Sequence, residues 1–369
     1  MKITVPTKEF NKKLSILTHL SSVKAAAGNP YAGTVKIEGK SGLIILSATN
    51  FADYCQVTTP GTTHEEGTVV VPFRTLNDLT QLLDGDAFTI TSKEGEIKIT
   101  TNKTKSSIKT LDPTNFPVAP EVTGEKVKIK AGDFSAIINS VSFAASNDNS
   151  RVELTGIKFE IKENRLTAVA TDGFRISAAK TTLAENVSAN ILLPAGSLNQ
   201  CLKAVQGSTM IELTVGIDQV KLMGLEVIYI ITGISKEFVP WEKILPSNST
   251  TKVSVVRDAL FKACKLAHVI SRDSNCIGRC NISQEGGFNI KAVSEETGAS
   301  ENTVEATVET NEAVEIAFNV SYLAEGLERA CGSGQKVRME LTGPRNPAII
   351  RPETQTNIET MYCLMPMQG

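Results

Sequence analysis

The chain has 369 residues, of which 21% are charged and 41% hydrophobic, and its net charge is −2. That composition is ordinary for a globular protein and long enough for two or three domains. It excludes a strongly basic arm that binds nucleic acid by bulk charge, while leaving room for positive charge gathered on one face.

Residues 3–20, ITVPTKEFNKKLSILTHL, alternate at Ile3 and Val5 and then place apolar residues at helical spacing, which predicts a strand, a turn and a helix. GTVKIEG, LIILSAT and YCQVTTP follow as strands. VPFRTLNDLTQLL (71–83) enters from the strand VVVP and becomes a second helix through Leu76, Leu79 and Leu83. FTITSKE and EIKITT are strands again, with turns at Glu38-Gly39 and Lys93-Glu94-Gly95. His64, followed by Glu65-Glu66-Gly67, reads as loop.

The same order then recurs. VKIKAGDFSAIINSVSF (127–143) is a strand and helix, and GIKFEIKEN, RLTAVATD and FRISAAKT are strands. LPAGSLNQCLKAV (193–205) is a helix through Leu198, Cys201 and Leu202, followed by the strands TMIELTVGI and VKLMGLE. A third copy starts at VSVVRDALFKACKLAHV (253–269) and continues through CNISQEG, FNIKAVS and TVEATVE to the helix of FNVSYLAEGLERA (318–330). Copies spaced by about one third of the chain mean three versions of one domain. Each reads as α+β, with about eight antiparallel strands and two helices. LDPTNFPVAPEVTG (111–124) and FVPWEKILPSNST (238–250) punctuate the repeat, giving domains 1–122, 123–247 and 248–369.

No stretch approaches about 18 uninterrupted apolar residues, and Lys2 leads into a polar, alternating run, so neither a membrane span nor a secretory signal is expected. The seven cysteines are odd in number and irregularly spaced. Small core residues in a reduced, cytoplasmic protein fit this better than a disulfide frame.

Enzyme chemistry finds little support. The histidines are His19, His64 and His268, and none sits in HExxH. There is no GxSxG, and GSGQK (332–336) has the wrong spacing for a phosphate loop and follows a helix. Asp172 beside Gly173 reads as a turn residue, not a catalytic carboxylate. No nucleophile, base and orienting group assemble, so no cofactor or metal is expected.

Six segments (8–24, 133–148, 257–273, 74–86, 194–207, 320–336) contain the predicted helices. They hold 12 Lys and Arg against 10 Asp and Glu. This small basic excess, carried mainly by the first helices of domains 1 and 3, has the sign needed for a surface that meets phosphates. Lys12, Lys13, Lys24, Lys203, Lys262 and Lys265 are the candidate DNA-facing residues.

ATDGFRIS (170–177), FVPWEKILP (238–246), FNVSYLAEGL (318–327) and YCLMPM (362–367) resemble, in order and position, the ATDGHRL, domain-link, FNxxYLxDxL and terminal MPM motifs of bacterial sliding clamps, the beta subunit of DNA polymerase III. The resemblance spans the whole chain. It implies the DNA clamp fold, with three repeated domains forming half of a closed ring. It also implies a homodimer that encircles duplex DNA without reading sequence and tethers the polymerase. Polymerase and clamp loader would bind through a short apolar peptide.

The resemblance implies a peptide pocket that draws on Leu154, Thr171, Gly173, Phe174, Arg175 and Ile176 from domain 2. Val239, Lys243 and Ile244 would come from the link. Asn319, Tyr322 and Pro347, and the terminal Cys363, Leu364, Met365, Pro366 and Met367, would come from domain 3. Methionine adapts to varied partners, and an apolar cleft with few polar groups suits a held peptide. ATDGFRIS is expected in the second copy alone and YCLMPM in the third alone. Two positions depart from the family pattern: Phe174 replaces a histidine, and Gln368 replaces a basic residue after MPM. Both make the pocket less polar. The dimer contact implied by the family would use Ile108, Val269 and Ile270. The alternative is a repeat-built scaffold that binds proteins without encircling DNA.

Overall fold

The computed structural model describes residues 1–21, 29–40, 42–310, 313–332 and 335–367. Lys24 and Gln368 lie outside the described residues.

The first third runs β1 (Lys2–Pro6), α1 (Thr7–Ile16), α2 (Thr18–Ser21), β2 (Thr34–Lys40), β3 (Leu43–Thr49), β4 (Tyr54–Thr59), β5 (Thr62–Glu65), β6 (Gly67–Pro72), α3 (Phe73–Gln81), β7 (Ala87–Lys93), β8 (Glu96–Thr100) and β9 (Lys105–Lys109). The second runs β10 (Glu125–Lys130), α4 (Ala131–Val141), β11 (Gly156–Lys162), β12 (Arg165–Thr171), β13 (Arg175–Thr182), β14 (Ala189–Pro194), α5 (Ala195–Ala204), β15 (Met210–Val215), β16 (Gln219–Met223) and β17 (Val227–Thr232). The third runs β18 (Thr251–Val256), α6 (Arg257–Ser271), β19 (Ile277–Ser283), β20 (Gly287–Ser294), β21 (Gly298–Val304), β22 (Ala306–Glu309), β23 (Val314–Asn319), α7 (Val320–Arg329), β24 (Lys336–Leu341), β25 (Ala348–Pro352) and β26 (Glu359–Leu364).

The threefold repeat is therefore present in the fold, with two principal helices per copy. The helices are shorter than their apolar periodicity suggests: α3 stops at Gln81 and α5 at Ala204. His64 lies in a strand, β5, not in a loop, and its Nε2 is 3.0 Å from Thr4 Oγ1 on β1. β5 carries no buried alternation that would mark it as a strand in the sequence. TVEATVE is split at Glu305 into β21 and β22, which belong to different sheets.

Each copy makes two antiparallel sheets. One contains the strand before the first helix and the last strands of the copy: β1-β7-β8-β9, β10-β15-β16-β17, and β18-β24-β25-β26. The other is β6-β2-β3-β4, β14-β11-β12-β13, and β23-β19-β20-β21. Neighbouring copies fuse these sheets. β4 pairs antiparallel with β17, from Val57↔Val227 to Tyr54↔Ile230. β13 pairs antiparallel with β26, from Arg175↔Leu364 to Lys180↔Glu359.

The result is two compact units that do not follow the repeat. Met1–Ala131 with Gly196–Gly233 is one unit; Gly132–Ala195 with Ile234–Gly369 is the other. The middle copy contributes one sheet to each. In the second unit, a core centred on Leu260, Phe288, Phe318, Leu323 and Tyr362 lies under α6 and α7. Six of the seven cysteines are buried and all seven are free thiols. Burial pushes Cys280, Cys331 and Cys363 up to about 12, so they pack as small apolar groups. Among the described residues no helix is long and apolar enough to cross a membrane.

Candidate partner site at the β13–β26 junction

The loop between β12 and β13 is built by its own side chains. Thr171 Oγ1 accepts the Gly173 N–H at 3.1 Å and donates to the Arg175 carbonyl at 2.6 Å. Asp172 Oδ1 accepts from the N–H groups of Phe174 and Arg175 at 2.9 and 3.1 Å. These are the local bonds by which threonine and aspartate make turns. Asp172 is thus a turn residue, as its place beside Gly173 suggested. Gly173 supplies the positive φ of +94°. The tight loop leaves the Phe174 ring 62% exposed, a large apolar group held out on a fixed backbone.

Arg175 follows and points inward. Its Nε donates to Asp172 Oδ2 at 2.9 Å, Nη1 to Glu325 Oε2 at 2.6 Å, and Nη2 to the Phe143 carbonyl at 2.9 Å. The guanidinium lies 4.1 Å from the Tyr322 ring centroid and 5.4 Å from that of Phe143. Burial lowers its pKa, but the Glu325 hydrogen bond and the surrounding carboxylates outweigh this and hold it above its ordinary value. Arg175 is a strut that ties the loop to α7, with a donor on each of its three nitrogens engaged.

Tyr322 is set by the start of α7. Asn319 is the N-cap, and its Oδ1 accepts from the N–H groups of Ser321 and Tyr322 at 3.0 and 3.1 Å. The FNxxYL pattern therefore has a local physical reason. Gly326, one turn on, lets Tyr362 of β26 approach: a Cβ at that position would sit 2.2 Å from the ring. The Tyr362 hydroxyl donates to the Tyr322 carbonyl at 2.9 Å.

The chain end runs beside this loop. The Met365 N–H donates to the Phe174 carbonyl and the Met367 N–H to the Ala317 carbonyl, at 2.9 and 2.8 Å. Met365, Pro366 and Met367 line an open cleft of about 740 Å³ together with Arg279, Pro344 and Arg345. Below the loop, Ile176 and Cys363 pack with Trp241, Val169 and Ile349. Trp241 anchors the link that carries Val239, Lys243 and Ile244, and Lys243 and Ile244 are exposed.

The structure thus brings Thr171, Gly173, Phe174, Arg175, Ile176, Tyr322, Cys363, Leu364 and Met365 into one junction. It also sorts them. Leu154, Thr171, Ile176, Cys363 and Leu364 are at most 3% exposed and form its floor, not an open lining. β26 is a core strand through Leu364, and the accessible tail starts at Met365. Pro347 is half-buried beside the start of β25. Phe143 and Glu325, which complete the Arg175 network beside the local Asp172, were not marked by the sequence. They come from distant segments, so no local spacing marks them.

The expected dimer residues divide as well. Ile108 is 6% exposed on β9 and paired with Ile97. Its side chain belongs to the domain core, because the alternation of β9 turns it inward. Val269 is 58% exposed, and Ile270 packs against the third-domain core. Lys12, Lys203, Lys262 and Lys265 are exposed on their helices. Lys13 is instead ion-paired with Glu226.

Comparison with known proteins agrees over the whole chain. Residues 1–120, 128–238 and 242–368 match the N-terminal, central and C-terminal domains of the DNA polymerase III beta subunit. The chain belongs to the DNA polymerase III beta subunit family. It is 26% identical over 385 residues to the beta sliding clamp of Rickettsia bellii, with all of both chains covered. The Staphylococcus aureus beta sliding clamp is 24% identical over 97% of each. The fold matches the Bacillus subtilis DNA polymerase sliding clamp at a TM-score of 0.93 and 19% identity, covering 100% of this chain and 99% of that one. A Pseudomonas aeruginosa sliding clamp solved bound to griselimycin matches at 0.93 and 21% identity, with both chains covered in full. In this family of DNA sliding clamps the repeated unit is the clamp domain. The described residues contain no group of three or more His, Cys, Asp or Glu poised to hold a metal.

Proposed function

We propose that two copies of this sliding clamp close head to tail around duplex DNA, and that client proteins dock at the β13–β26 junction. The repeat carries the dimer part of this reading. At each internal junction, the last strand of one domain pairs antiparallel with the last strand of the second sheet of the domain before it: β17 with β4, and β26 with β13. Continuing the rule leaves one partner missing at each end. β9 and β21 are edge strands of their sheets, and they are the two strands the rule would join across copies. An edge strand of this kind invites pairing with another chain. β9 would contribute its backbone, Val269 and Ile270 the apolar contact, and six domains would complete the ring. The domain limits that suit this scheme are 1–122, 123–247 and 248–369.

Lys12, Lys203, Lys262 and Lys265 would face DNA, giving a sequence-independent electrostatic contact. The polymerase and the clamp loader would compete for Phe174 and the Met365–Met367 tail, with Tyr322, Arg175 and the link residues fixing the geometry. The clamp would act in the cytoplasm as a tether, without catalysis. Light scattering on the purified protein tests the ring: the mass of two chains is expected, and a monomer at micromolar concentration would sink the closure rule.

A further inference from the structure

A second cleft, of about 560 Å³, lies where the first and second domains meet within the first unit. It is lined by Glu9, Lys12 and Lys13 of α1, Lys203 of α5, and Leu225 and Glu226 of the β16–β17 turn. By the repeat, Lys12 and Lys13 correspond to Ala136 and Ile137 of α4, and Lys203 to Glu328 of α7. The basic notch therefore belongs to this junction and is not reproduced where α4 and α7 serve.

Three of the lining groups are cations, but they are not equivalent. Lys12 and Lys203 are exposed and form no ion pair among the described residues. The Lys13 side chain is only 14% exposed and is held by the Glu226 carboxylate. Glu226 is itself delivered by a rigid turn. Its carbonyl accepts the Thr58 N–H at 2.9 Å, Leu225 N–H donates to Ser208 Oγ at 3.1 Å, and Gly224 N–H donates to the Val227 carbonyl at 2.9 Å. The turn fixes where the Glu226 side chain starts, and its carboxylate reaches the largely buried Lys13 from there.

We propose that this cleft holds backbone phosphates of the duplex through Lys12 and Lys203, and that Glu226 withholds Lys13 from them. The proposal rests on the reading that these helices face DNA. Each phosphate neutralised adds to the affinity and to its salt dependence. A carboxylate that occupies one of three cations limits the contacts and favours movement along the duplex over tight residence.

The test is the binding of the full-length clamp to a short random-sequence duplex, followed by fluorescence anisotropy across a salt series. Glu226→Gln is expected to steepen the slope of log K against log salt by about 0.9, one extra phosphate contact. Lys13→Gln in that background should return the slope to the wild-type value, and Lys13→Gln alone should leave it there. Lys12→Ala and Lys203→Ala should each flatten it by about 0.9. An unchanged slope in Glu226→Gln, an increase that survives in the double variant, or a flattening by Lys13→Gln alone would overturn the withholding role while leaving the DNA-facing reading in place. If Lys12→Ala and Lys203→Ala also change nothing, the DNA-facing reading itself fails.

Discussion

The two internal junctions use one backbone device and finish it differently. ATNFAD (48–53) repeats ATDGFR (170–175) bond for bond. Thr49 Oγ1 accepts the Phe51 N–H at 2.9 Å and donates to the Asp53 carbonyl at 2.7 Å, while Asn50 Oδ1 accepts from Ala52 and Asp53 at 3.0 and 2.6 Å. The loop is therefore not peculiar to the second domain, as its sequence alone suggested. Asn for Asp and Phe for Gly hid the match, yet Phe51 adopts the same left-handed region at φ +71°. What differs is the residue that plugs the junction. Asp53 accepts from Ser197 Oγ at 2.5 Å and from the Thr232 N–H at 3.3 Å, and the Thr232 hydroxyl closes on the Ala52 carbonyl. At the other junction a guanidinium stacks on Tyr322, the counterpart of Ser197, and Phe174 stands where the first has Ala52. One junction is sealed by small polar groups. Both leave an aromatic ring exposed, Phe51 at 49% and Phe174 at 62%, and the other, tied by a long strut, sets its ring beside a methionine-rich tail. A shared framework thus carries a structural joint and the proposed docking site.

Removing the strut should have the largest effect. Arg175→Ala leaves Asp172 and Glu325 without their cation and empties the space on Tyr322; a loss of about 3 kcal/mol is expected in denaturant unfolding of the second unit, together with loss of client binding. Unchanged stability would mean the network is not what fixes this loop. Gly326→Ala comes next, because its Cβ would collide with Tyr362, whereas Cys201 is tolerated at the equivalent position of α5. A cost of about 1–3 kcal/mol is expected by the same assay, and a neutral result would show that α7 and β26 can separate freely. Phe174→Ala and Phe51→Ala then separate the two roles. Both should leave stability within about 0.5 kcal/mol. Only Phe174→Ala should weaken polymerase binding, by about tenfold or more in a titration.

The smallest effect concerns Asp53. Burial raises its pKa, partly offset by the Ser197 and Thr232 hydrogen bonds. A carboxyl whose folded pKa is raised contributes stability that is full below its unfolded value, near 3.8, and is lost as pH rises through the folded pKa. Melting temperature measured against pH should show this decline in the wild type and less of it in Asp53→Asn; an identical profile would show that Asp53 does not titrate in that range.

The repeat and most strands were legible because apolar period and turn residues are local. The helix ends were not, since apolar spacing continued past Gln81 and Ala204 after the backbone had turned. Fusion of sheets between domains could not be read either. β4 with β17 and β13 with β26 are long-range pairs, and strands buried on both faces carry no mark of their partner. At the site, the motifs located the junction, but depth along β26 was not visible: Cys363 and Leu364 face the core while Met365 escapes it. Nothing in the sequence near Lys13 marks it off from the other helix-face cations, because its partner Glu226 is 213 residues away.

Retention on DNA decides whether the clamp encircles the duplex. The clamp, loaded by its loader onto a nicked circular plasmid and separated by gel filtration, should stay with the circle and be lost once a restriction enzyme linearises it. Equal loss from circle and line, or equal retention on both, would contradict encirclement and leave a scaffold that merely binds.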